Sequence, residues 1–84
     1  MPESIKTVHI HYYAALREER GLSEESVTTG AVTAADLFTE LTDRHEFSLG
    51  ADEMRVVVNA QLRNWSSAIR EGDTVVFLPP VAGG

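Results

Sequence analysis

Glu71-Gly72-Asp73-Thr74-Val75-Val76-Phe77-Leu78-Pro79-Pro80-Val81-Ala82-Gly83-Gly84 is the stretch on which the fold turns. Glu71-Gly72-Asp73 is a turn signal, since glycine takes backbone conformations closed to other residues and aspartate bonds its own backbone. Thr74 to Leu78 is β-branched and aromatic, the composition of a strand. Pro79-Pro80 ends any ladder, because proline has no amide to donate. Beyond them, Val81-Ala82-Gly83-Gly84 carries no bulky side chain at its end, so a strand is followed by a narrow, projecting tail.

Upstream, Arg55 to Asn59 holds three consecutive valines, which suggests a strand buried on both faces, and Asn59-Ala60-Gln61 reads as a turn into a short segment around Leu62. Trp65 and Ile69 are expected to anchor the irregular stretch that follows. At the other end, Thr7-Val8-His9-Ile10-His11-Tyr12 alternates polar and apolar residues, placing Val8, Ile10 and Tyr12 on one strand face. Ala14 to Arg20 is rich in helix formers and meets Gly21, a helix stop. Ser26 to Thr29 reads as a short second strand. Thr33 is a helix N-cap with Asp36 three residues on, and Ala34, Leu37, Phe38 and Leu41 form one apolar stripe behind it. Arg44 and His45 suit the helix C-terminus, and the stretch through Gly50 to Glu53 is expected to be a loop. The order is strand, helix, strand, helix, then two or three strands. In 84 residues this builds a single α+β domain, one mixed sheet with helices packed on it.

Composition narrows the function. Thirteen acidic residues against seven basic give a net charge of -6, which opposes nucleic acid and anionic membrane surfaces. The longest apolar run, Tyr12 to Leu16, falls far short of the roughly 20 residues that span a bilayer. Met1-Pro2-Glu3-Ser4 lacks the basic flank and apolar stretch of a secretory signal, so the cytoplasm is the expected compartment. The absence of cysteine removes disulfides and thiol chemistry. A chain this short has little room for a catalytic cleft.

The stretch 71–84, together with Val58-Asn59-Ala60-Gln61-Leu62 and with Tyr13-Ala14-Ala15-Leu16-Arg17-Glu18 after the first strand, closely resembles the MoaD-type small subunit of molybdopterin synthase, in the MoaD/ThiS ubiquitin-like family. The resemblance covers essentially the whole chain. It implies a β-grasp fold over residues 1–80 and a flexible Gly-Gly tail over 81–84. It implies that a ubiquitin-activating-like, MoeB-type adenylyltransferase spends ATP to adenylate the Gly84 carboxylate, which a sulfur donor protein converts to a thiocarboxylate. The tail then enters a large catalytic subunit, MoaE-type and in a heterotetramer, and gives sulfur to cyclic pyranopterin monophosphate. Gly84 would carry the sulfur and Gly83 would thread the channel. Leu62, Phe77, Leu78, Pro79, Pro80 and Val81 would meet the partner, with Leu78 standing where an aromatic is often found. No cofactor or metal would be bound permanently. Alternation alone leaves open whether Leu62 and Leu78 face core or solvent.

Two other functions fit a Gly-Gly end, a ubiquitin-like modifier joined through Gly84 to lysines and the carrier of thiamin thiazole synthesis; the Phe77-Leu78-Pro79-Pro80 lead-in favours the first reading. His9 and His11 share a strand face, but two histidines without a third placed ligand are better read as solvent- or edge-exposed than as a metal site. Glu18-Glu19 and Glu24-Glu25 read as solvated charge.

Overall fold

The computed structural model describes residues 5–48 and 50–79. The elements run β1 (Lys6–Tyr12), α1 (Ala14–Arg20), β2 (Glu24–Thr29), α2 (Ala34–His45), a 3-10 turn (Ala51–Glu53), β3 (Arg55–Val58), β4 (Gln61–Arg63) and β5 (Thr74–Leu78). Among the described residues the strands make one sheet in the order β2-β1-β5-β3-β4. β1 and β5 are parallel neighbours at its centre, and the other pairings are antiparallel. This mixed sheet with its helices is the β-grasp arrangement.

One face of the sheet is covered. Val8, Ile10 and Tyr12 of β1, Val56 and Val58 of β3, and Val75 and Phe77 of β5 are buried against Ala34, Leu37, Phe38 and Leu41 of α2 and Leu16 of α1. The apolar stripe of α2 is therefore the lid of the core. Its start is held by a capping box, in which Thr33 Oγ1 accepts from Asp36 N and Asp36 Oδ2 accepts from Thr33 N. The next two helical amides, Ala34 N and Ala35 N, donate to the Ser67 and Trp65 carbonyls, which ties the long β4–β5 connection to the helix. Phe38, Trp65 and Phe77 pack as an aromatic cluster with centroids 5.1 to 5.8 Å apart.

The other face is open, and this corrects the reading of the valine run. Val56 and Val58 point into the core while Val57 is half-buried on the outer face. β-branched residues favour any strand, so three in a row record strand propensity rather than burial on both sides. β2 begins at Glu24, two residues earlier than expected, because Glu24 and Glu25 pair with His11 and Ile10 of β1. Glu25 is also not solvated: Arg20 donates two bonds to its carboxylate at 2.8 and 2.9 Å, and Tyr12 Oη donates a third at 2.6 Å. Glu19 is exposed, as read, and accepts from the Ser48 amide at 3.0 Å and from its hydroxyl. The expected loop at Gly50 to Glu53 contains the 3-10 turn. No helix among the described residues is long and apolar enough to cross a membrane.

Candidate functional site

The central strand β5 carries the chain to its C-terminal segment. It is hydrogen-bonded on both sides, to β1 and to β3, so the base from which that segment departs is fixed in the middle of the sheet. Asn59 locks the neighbouring β3–β4 hairpin to the start of β5: its side chain donates to Asp73 Oδ1 and accepts from Thr74 N, both at 2.9 Å. Asn59 and Ala60 have φ of 52° and 70°, the left-handed pair required by a two-residue hairpin turn. That turn fixes the register Val57↔Leu62 and sets which way Leu62 points.

Alternation along each strand then assembles a surface. Leu62 stands across from Val57, Val57 from Val76, Val76 from His11 and His11 from Glu24, one row crossing all five strands on the open face. Leu62 is 61% exposed, and Val57, Val76 and Leu78 are partly exposed. Leu78 lies opposite Arg55 at the end where β5 gives way to Pro79. Leu62, Leu78, Pro79, Arg55, Arg63 and Trp65 share a groove of about 680 Å³ beside that exit. An apolar patch beside Leu78 and Pro79, with Arg55, Arg63, Asp52 and Glu53 at its margin, can bind a partner surface, since a desolvated apolar centre supplies affinity and rim charges supply orientation.

The expected interface residues divide accordingly. Leu62 and Leu78 face outward, and Pro79 lies beside them. Phe77 does not join them: it is fully buried and packs on Phe38 and Trp65, so its side chain is core rather than interface. The reason is the period of two, which sends neighbours in a strand to opposite faces. Pro80, Val81, Gly83 and Gly84 lie outside the described residues. Val57, Val76 and Arg55 are members of the surface that the sequence reading missed. Their signal was the same alternation, once the covered face is known.

Away from this face, the Arg20 guanidinium bonded to Glu25 holds that carboxyl below the usual carboxylate range. Burial, with Glu25 as acceptor, pushes the Tyr12 phenol well above its ordinary value, so it stays a donor. His9 is exposed and bonded to Ser26 at 2.9 Å, and His11 is half-buried and 3.9 Å from Glu24; both sit on a central strand rather than an edge. Among the described residues no three His, Asp or Glu side chains converge as a metal would require.

The sequence profile of the ThiS family matches residues 10–84, which includes the open-face patch and the Gly-Gly end. The chain belongs to the ThiS family. The molybdopterin synthase sulfur carrier subunit of Haemophilus influenzae is 28% identical to this ThiS-family chain over 80 residues, covering 92% of it and 99% of the relative. Among solved structures, SAMP1 from Haloferax volcanii superposes with a TM-score of 0.76 at 25% identity, over 93% of this chain and 99% of that one. Subunit 1 of a molybdopterin converting factor from Pyrococcus furiosus gives 0.76 at 28% identity, over 90% and 99%. Coverage is near-complete in both directions in all three comparisons.

Proposed function

We propose that this ThiS-family chain is the sulfur-carrier subunit of a cytoplasmic molybdopterin synthase, with the Gly84 carboxylate as its working group. The observation that carries the reading is the pairing of a Gly-Gly end with an apolar patch at the mouth of the central strand that launches it. The Haemophilus influenzae relative bears the corresponding name. A free α-carboxyl has an ordinary pKa near ~3.5 and is ionised at neutral pH, so it is a poor electrophile. Adenylation by an ATP-dependent, MoeB-type enzyme replaces one carboxylate oxygen's charge with a phosphate leaving group. Sulfide-level sulfur supplied by a donor protein then attacks the carbonyl carbon, the C–O bond to AMP breaks with its electron pair leaving on AMP, and a thiocarboxylate remains on Gly84.

Delivery divides the labour between domain and tail. The patch around Leu62 and Leu78 docks on the large, MoaE-type subunit, and Gly83 and Gly84 thread a channel that admits little more than backbone. Cyclic pyranopterin monophosphate receives the sulfur there, and the acid-base groups belong to the large subunit. The domain's contribution is a rigid origin for the tail, because β5 is paired with β1 as far as Phe77 and with β3 as far as Leu78.

Intact-mass measurement of the protein from its native cell tests this: the expected species has one oxygen of the Gly84 carboxyl replaced by sulfur. One residue appended after Gly84 should abolish that species, and normal sulfur loading of the extended chain would overturn the assignment. The likeness to SAMP1, a small archaeal modifier protein, supports a second reading in which Gly84 is conjugated to lysines of other proteins. The same measurement, extended to high-mass conjugates, separates the two.

A further inference from the structure

The 84 residues contain one lysine, Lys6, and no cysteine. Lys6 lies at the start of β1 on the covered side of the sheet and is only 8% exposed. Its Nζ donates to the Ala31 carbonyl at 2.6 Å. That carbonyl is itself held in place, because Ala31 N donates to Thr29 Oγ1 at 3.0 Å and Thr29, buried at 3% exposure, donates onward to Glu40. Lys6 lines a groove with Ile5, Val32 and Ile69, and its nitrogen is bonded to the backbone of the β2–α2 connection. The positively charged residues elsewhere in the chain are all arginines, whose guanidinium does not lose its proton and is no acyl acceptor.

We propose that the fold withholds its one side-chain amine from acyl transfer, so that an activated copy cannot be captured by another copy through a side chain. This rests on the reading of Gly84 as an activated acyl group. The reaction excluded is aminolysis: a neutral Lys6 amine would attack the Gly84 carbonyl carbon, a C–N bond would form, the bond to AMP or sulfur would break with the electron pair leaving on that group, and the amine proton would pass to water. Such attack needs the nitrogen lone pair within roughly 3–3.5 Å of the carbon and aligned with it. A buried nitrogen held against the Ala31 carbonyl is not open to that approach. For a carrier, this preserves the activated end for its sulfur acceptor. For a modifier, it limits the product to single units on an acceptor, because chains of copies linked through a side chain would have to pass through Lys6.

The test uses the whole chain with Gly84 prepared chemically as a thioester, concentrated at mildly alkaline pH, with products mapped by peptide mass spectrometry. In native buffer the wild-type chain is expected to give no Gly84–Lys6 isopeptide. Two arms give an isopeptide instead: the same thioester in urea, at the released Lys6, and folded Arg17→Lys, at the amine introduced on an exposed position of α1. A Lys6 linkage formed by the folded wild-type chain as fast as in urea would overturn the proposal. The thioester bypasses any activating enzyme, so this outcome is independent of whether the native protein carries sulfur. A missing thiocarboxylate in native protein would count against the carrier function alone.

Discussion

Leu62 stands directly across the β3–β4 ladder from Val57 and leaves 61% of its surface in solvent. The pair begins an apolar row that continues through Val76 to the centre of the sheet, and Leu78 lies one pleat further on, where β5 ends. A large exposed leucine on an edge strand contributes little to the core that lies on the opposite face. Its value is to whatever covers the open face.

Leu62→Glu should therefore leave folding within about 0.5 kcal/mol of wild type while weakening binding to the large synthase subunit, by up to several kcal/mol where the new charge is desolvated. Calorimetric titration against that subunit, paired with urea denaturation of the variant alone, reads both numbers. Unchanged affinity in a folded variant would mean that another surface docks.

Phe77→Ala should behave in the opposite way. Its ring is fully buried, 5.1 Å from Phe38 and stacked at 5.8 Å on Trp65, so truncation leaves a cavity costing about 3–5 kcal/mol. For a domain this small that is a large share of the total stability. The urea midpoint should fall steeply, whereas Leu78→Glu, one residue along and on the open face, should shift it far less. Equal losses from the two would contradict the assignment of faces.

Glu25 predicts a pH dependence. Its carboxyl is held low in the folded protein, chiefly by the hydrogen bonds from Arg20, so the pair stabilises the fold above the carboxyl's unfolded pKa, near ~4.3, and that contribution is lost as pH falls through the lower folded value. Wild type should outlast Glu25→Gln at neutral pH, and the gap should close on acidification below about pH 4. Thermal melts across that range would show a constant gap if the ion pair were not its source.

Gly83→Val separates threading from chemistry. The branched side chain should not pass a channel built for backbone, although the terminal carboxylate is chemically unchanged. When the variant is thiocarboxylated chemically and mixed with the large subunit and precursor, molybdopterin formation should drop sharply at near-wild-type thermal stability. Wild-type turnover would show that the glycine is not needed for passage.

Local physics made much of this molecule legible in the sequence. The alternation of Val8, Ile10 and Tyr12, the Thr33–Asp36 cap, the Leu37-Phe38-Leu41 stripe, the Gly21 helix stop and the turn at Gly72 all depend on residues close in the chain, and all are present as read. The strand before the tail and its proline stop depend on the same short-range rules. The family resemblance likewise needed only the residue string.

What the string could not decide is which face of the sheet is inside. A strand's period of two assigns Phe77 and Leu78 to opposite faces without saying which is covered, and the answer depends on where α2 lies, on residues some forty positions upstream. For the same reason the valine run alone does not tell one covered face from two; a single layer of helices covers Val56 and Val58 and leaves Val57 on the open side. The Arg20–Glu25–Tyr12 cluster and the seclusion of Lys6 by Ala31 escaped the sequence too, because burial and hydrogen bonding between distant residues exist only once the chain has closed on itself.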